Sequence, residues 1–192
     1  MLRRLYDWVI RMSEHPKSLW VLAAVSFAES SFFPIPPDVM LIPMILAQRA
    51  RAWLIAGVCT VASVVGGFFG YALGYFFFET VGKWVIDLYG LQAGFAAYQE
   101  QFNQYGLWII LIKGLTPIPY KIVTIASGAA HFDLLVFGLA SIVTRGARFY
   151  LVAGLLYVFG EPIRGFIEKH LTLVTTAFVV ILVGGFVAVA YL

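Results

Sequence analysis

Charge is scarce in this sequence. Only 12% of its 192 residues are Asp, Glu, Lys or Arg, where soluble domains carry about 25%. That scarcity excludes an ordinary water-soluble surface, and the net charge of +3 is expected to reflect orientation in a bilayer rather than a nucleic-acid partner. Cysteine is scarcer still. Cys59 stands alone, so no intramolecular disulfide can form, and the residue reads as a small buried apolar group. His15, His131 and His170 are scattered without metal-ligand spacing and no paired acidic motif accompanies them. No metal, other cofactor or catalytic residue is therefore expected. An uncharged core near the N-terminus is missing as well, because Arg3, Arg4, Asp7, Arg11, Glu14 and Lys17 interrupt it. A cleaved secretory signal is not expected, and the chain reads as retained whole.

What is present is long apolar sequence. Residues 52–78 and 170–192 contain no charged side chain, and each exceeds the roughly 20 residues that cross a bilayer core. With 134–160 they give about three spanning helices in one all-α integral membrane domain covering 1–192. Residues 1–17 and 80–104 place apolar groups at helical spacing with charges interleaved, Val81, Trp84, Val85 and Leu88 in the second case, as helices lying in the membrane interface do. Residues 19–48 and 106–130 are apolar but broken, the first by Pro34, Pro36 and Pro37 and the second by Pro117 and Pro119. Proline removes a donor and clashes with the preceding turn. The arms left on either side of each break are too short to span at about 1.5 Å per residue. Two re-entrant hairpins are the expected solution, with their irregular tips buried in protein or lining a wet cavity.

The two breaks share the tripeptide Pro-Ile-Pro, and Asp38 follows Pro34 at the same distance as Lys121 follows Pro117. That is a weak internal repeat. A re-entrant first element puts Arg3, Arg4, Arg11, Lys17, Arg49, Arg51, Arg164 and Lys169 on one face and only Lys83 on the other, so the first face, and the N-terminus with it, is expected in the cytoplasm. The span at 52–78 then inverts the second hairpin relative to the first, a pattern found in transporters.

Six ionisable residues remain at membrane depth: Glu29, Asp38, Lys113, Lys121, Arg145 and Arg148. Each would cost about 2.5–3.5 kcal/mol facing lipid at a helix centre, so they are expected to face one another. Four positive and two negative groups leave an excess of +2, which suits a phosphate carrying about 1.5–2 negative charges. The competing reading is structural: opposite charges pair and pin the fold, Asp38 caps a helix, and Arg145 and Arg148 snorkel to an interface. Gly66, Gly70 and Gly74 form a stripe whose expected role is close helix packing.

These motifs together are familiar. Glu29 with Pro34-Ile-Pro-Pro-Asp38, the stripe Gly66-Gly67-x-x-Gly70-Tyr71-x-x-Gly74, and Lys113-x-x-x-Pro117-x-x-x-Lys121 resemble the DedA family, also called the SNARE-associated or VTT-domain family, over roughly residues 20–160. The resemblance is nearest to the YqaA-like branch, where lysines replace the usual arginines of the second hairpin motif. It implies a flippase or scramblase in a bacterial inner membrane, acting on undecaprenyl phosphate or a phospholipid. Glu29 and Asp38 fall on the family's functional acids, Lys113 and Lys121 on its basic motif, and Arg145 or Arg148 on its later arginine. The expected partners are a phosphate-bearing membrane lipid and protons, with no nucleic acid; a homo-oligomer is left open. A lysine offers no bidentate fork to phosphate, so a small-ion or metabolite transporter, a membrane-embedded lipid-modifying enzyme and a non-transporting envelope-homeostasis factor remain as alternatives.

The hairpin layout makes a direct prediction. In a Cys59→Ser background, single cysteines introduced near Lys17 and near Arg49 should react with a membrane-impermeant thiol reagent from the same side of the membrane. Labelling from opposite sides would remove the first re-entrant hairpin.

Overall fold

The computed structural model describes residues 17–32, 36–90, 92–115 and 120–169, and among these every regular element is helical. The expected helix at 1–17 and spanning segment at 170–192 lie almost wholly outside the described residues, as do Pro34, Pro117 and Pro119 at the tips of the breaks. In chain order the elements are α1 (Ser18–Ser31), α2 (Asp38–Ala47), a single 3-10 turn (Arg49–Arg51), α3 (Ala52–Phe77), a π-helical turn (Phe78–Gly82), α4 (Lys83–Tyr89), α5 (Gln92–Leu115), α6 (Tyr120–Ala129) and α7 (Leu134–Lys169).

Local chemistry sets the helix ends. Pro37, with φ −65°, stands just ahead of α2, where a missing N–H costs nothing. Gly90 ends α4 in the left-handed region at φ 65° and donates its N–H to the Ile86 carbonyl. His131 does the same work for α6 at φ 55°: its N–H reaches the Gly128 carbonyl and the Phe132 N–H reaches that of Ser127, the paired bonds of a Schellman ending. Asp133 then caps α7, its Oδ1 accepting the Val136 N–H at 2.8 Å.

Helix α3 is the spine. It packs against α1, α6 and α7, and its glycine stripe explains how two short helices fit so closely. A Cβ at Gly66 would fall on the Phe27 carbonyl oxygen of α1, one at Gly70 on Thr124 Oγ1 of α6, and one at Gly74 on the Ile125 carbonyl oxygen of α6. Gly128 of α6 returns the contact against the Tyr71 carbonyl of α3. Backbone meets backbone on both sides of one helix, which only residues without side chains permit.

Apolar packing divides into two clusters. Leu22, Leu41, Met44, Ile45, Ile55, Cys59 and Phe149 centre the first, and Phe102, Ile110, Tyr120, Val123, Phe132 and Phe137 the second. Their outer surface is also apolar: Val61, Phe76, Leu135 and Leu151 are each more than 60% exposed. Soluble monomers rarely expose contiguous apolar surface on that scale. The runs Arg49–Gly82 and Leu134–Gly160 are each long and apolar enough to cross a membrane.

Two of the three expected spanning segments, 52–78 and 134–160, fall on these runs, and the third, 170–192, lies outside the described residues. One boundary is revised. The division between an interfacial helix at 80–104 and a hairpin at 106–130 is absent, because α5 runs unbroken from Gln92 to Leu115. Gly106 does not end it. Its bare backbone instead receives the ring of Phe132. Helix α7 is interrupted at Phe159, with φ −107° and ψ 16°, three residues before Pro162, which cannot donate to the Val158 carbonyl. Arg49 covers that site, its Nη2 donating to the carbonyls of Tyr157 and Val158.

The close contact at Gly74 generates a prediction. Gly74→Ala should lower stability by about 1–3 kcal/mol, the usual cost of overpacking, seen as a depressed melting temperature in detergent. Gly94→Ala, where an added Cβ meets nothing within 4 Å, should leave melting nearly unchanged.

Candidate functional site: a buried charge layer between two apolar clusters

The polar residues lie between the two clusters. Ser26, Glu29, Ser30 and Ser31 on α1, Thr60 and Ser63 on α3, Thr124 and Ser127 on α6, and Ser141, Thr144 and Arg145 on α7 are all buried. On α7 the order along the chain is plain. Phe137 and Ala140 belong to the second cluster, Phe149 and Ala153 to the first, and Ser141, Thr144 and Arg145 separate them.

Arg145 is the centre of this layer and is fully buried. Its Nη2 donates to Glu29 Oε2 at 2.8 Å and its Nε to Ser63 Oγ at 2.6 Å. Ser30 Oγ donates to the same carboxylate oxygen at 3.2 Å and lies 2.7 Å from Ser63 Oγ. Since the Ser30 proton is used on Glu29, Ser63 supplies the proton between the two serines. The bonds therefore close a ring running from Arg145 through Ser63 and Ser30 to Glu29 and back. Aromatic rings cover the guanidinium, with Tyr120 4.8 Å and Phe149 4.7 Å from its carbon, a desolvated cation–π arrangement. Among the described residues, Nη1 has no hydrogen-bond partner.

One turn further along α7, Arg148 Nη2 donates to Asp38 Oδ2 at 2.7 Å. The Arg148 side chain is 26% exposed and that of Arg145 0%, while the two carboxylates are covered to a similar degree, 13% for Asp38 and 11% for Glu29. Asp38 is the first residue of α2 and Pro37 holds the capping position, so the carboxylate serves Arg148 instead of a helix end. Snorkelling is likewise ruled out for Arg145.

The structure thus brings Glu29, Asp38, Arg145 and Arg148 together as two pairs joining α1 and α2 to α7. Pairing changes the charge balance. Each pair is neutral, so the excess of +2 rests on Lys113 and Lys121. Lys121 sits in the first turn of α6, beside the second break, and among the described residues its side chain has no ion-pair or hydrogen-bond partner, its carbonyl accepting from Thr124 Oγ1. Lys113 lies on α5, and its side chain is outside the described residues. Thr124 Oγ1 shares its proton between the Lys121 carbonyl of its own helix at 2.9 Å and the Ser30 carbonyl of α1 at 3.1 Å, a contact between the lysine-bearing half and the acidic half. Sequence reasoning missed the hydroxyl layer. Its signal was Ser26 with Ser30, Thr60 with Ser63, and Ser141 with Thr144 and Arg145, polar groups at helical spacing inside apolar runs.

An apolar helical bundle that places one buried and one part-buried ion pair on a long apolar helix is a membrane protein's construction. Residues 35–158 match the VTT domain, and the chain belongs to that family, the DedA family. An uncharacterized protein of Haemophilus influenzae (strain Rd) is 36% identical over 179 residues, 93% of each chain. A Histophilus somni protein described as an uncharacterized HI0703 homolog is 35% identical over 177 residues, 92% of each. No solved structure matches.

Removing one member of a buried pair strands the other, at about 3–5 kcal/mol. Glu29→Gln should accordingly reduce the melting temperature and the yield of folded protein. Glu29→Gln combined with Arg145→Met should recover most of that loss, because no unpaired charge then remains.

Proposed function

We propose that this protein is a transporter of an anionic lipid, working as a flippase or scramblase on a phosphate-bearing head group. The carrying observation is the pair of carboxylate–guanidinium bridges between the first proline-broken element and α7, buried in an apolar bundle. Ionisable groups are rare at that depth and mark substrate or ion pathways. Lys113, Lys121, Arg145 and Arg148 would receive the head group, and Glu29 and Asp38 would balance them, with protons as the coupling ion. In this reading the broken elements are inverted re-entrant hairpins, the N-terminus is cytoplasmic, and the membrane is a bacterial inner membrane. Neither α1, at 14 residues, nor α2, at 10, is long enough to span by itself, which supports the hairpin.

A second reading has its own observation. The closed hydrogen-bond ring around Arg145 is what a purely structural strut would also look like, and a non-transporting envelope factor would need nothing more.

Purified protein in phosphatidylcholine vesicles separates the two. Transport predicts that a fluorescent phosphatidic acid equilibrates between leaflets, and that Lys121→Ala slows it by about tenfold, equivalent to about 1.4 kcal/mol, with melting little changed. If folded wild-type protein moves no phosphate-headed lipid under any proton gradient, the strut reading stands instead.

A further inference from the structure

The two ion pairs are built differently. Arg145 is held by two hydrogen bonds and two rings, with Tyr120 and Phe149 over the guanidinium and Glu29 and Ser63 on its Nε–Nη2 edge. A planar guanidinium has five donors in a fixed fork. With its faces covered and that edge occupied, three donors remain, the second of Nη2 and both of Nη1, and Nη1 is the nitrogen that is buried and wholly unpartnered among the described residues. A buried donor without an acceptor is costly, so this atom suits an oxygen arriving in the guanidinium plane. Arg148 is held by much less: one carboxylate contact to Asp38 and one ring, Phe149, at 5.9 Å.

We propose that the pairs divide the work of the site, with Arg145 a fixed donor that presents Nη1 to a head-group oxyanion and Arg148–Asp38 the exchangeable pair that opens to admit it. This rests on the transporter reading above. The exchange balances in atoms and charge. A phosphate oxygen replaces the Asp38 carboxylate on Arg148, and the released carboxylate takes a proton from solvent on Oδ2. For each negative charge received one proton is bound, so the desolvated layer carries no added net charge, which its low dielectric would otherwise penalise. Glu29 and Ser63 are positioning residues that fix Arg145.

The other charged or titratable groups on elements packed against α2 leave Asp38 as the group that exchanges. Arg145 is committed to Glu29, the Cys59 thiol of α3 bonds Ser26, Arg49 is on the Tyr157 and Val158 carbonyls, and Arg51 is on Gln48.

The test is carboxyl modification of the whole protein in vesicles by a hydrophobic carbodiimide, which attacks protonated carboxyls, read by peptide mass spectrometry. Phosphatidylcholine vesicles are compared with vesicles that also contain phosphatidic acid, and with phosphatidylcholine vesicles given inorganic phosphate. The expected result is adduct on Asp38 that rises several-fold with phosphatidic acid, with Glu29 unmodified. A similar rise with inorganic phosphate supports the exchange and assigns the oxyanion to a soluble ligand. Adduct on Glu29 at an equal rate, on neither residue, or on Asp38 regardless of the anion overturns the proposal. In transport assays, Asp38→Asn should flatten the pH profile and Arg145→Lys should slow transport without flattening it; the reverse pattern also overturns it. If wild-type protein moves no lipid while the adducts follow the expected pattern, the transporter reading fails and the division between the pairs stands.

Discussion

A guanidinium with no exposed surface in the middle of an apolar bundle is the constraint to which the other features answer. Arg145 cannot be deprotonated to relieve its burial, so the fold must bring a carboxylate to it. That carboxylate, Glu29, is 116 residues away in sequence. Delivering it requires α1 to lie close against α3, and the Gly66 contact with the Phe27 backbone permits this. Ser26 of α1 fixes the approach through the Cys59 carbonyl at 2.8 Å, and Ser31 shares its proton between the Phe27 carbonyl of its own helix at 2.7 Å and that of Gly66 at 2.9 Å. The glycine stripe and the hydroxyl layer are thus parts of one solution. Small residues allow contact, and hydroxyls satisfy the polar atoms that contact buries.

The layered plan follows from the same requirement. Polar groups at membrane depth cost little only when gathered, so they share partners across four helices, and apolar clusters close the layer on both sides. The layer lies within the long apolar runs of α3 and α7, away from the starts of both helices. Kinks and caps at the periphery then serve to hold the long helices in register. The break at Phe159 leaves carbonyls that Arg49 covers from the turn before α3, so the ends of α3 and α7 are locked together on the side of the first cluster.

Part of this was legible in the sequence. Charges in apolar runs call for partners, and four of the six, Glu29, Asp38, Arg145 and Arg148, pair, while the spacing of Gly66, Gly70 and Gly74 defined one helix face. Who pairs with whom was not legible. Arg145 and Arg148 share a face by spacing and both lie by Phe149 of their own helix, yet only Arg145 is sealed, because Tyr120 of α6 covers it, while Arg148 stays partly exposed. The hydroxyl residues escaped notice because serine and threonine are common in membrane helices, and only their convergence in space makes them a layer. The boundary expected near residue 105 is absent because α5 continues through Gly106, whose bare backbone seats the ring of Phe132.

Opposite charges on the first broken element and on α7 are energetic partners, Asp38 with Arg148 as well as Glu29 with Arg145. Charge exchange measures this through the melting temperatures in detergent of Asp38→Arg, Arg148→Asp and the double variant. Each single change should lower stability and the double variant should recover a large part of the loss, a coupling of at least about 1 kcal/mol. Losses that simply add would show that the two charges are not partners.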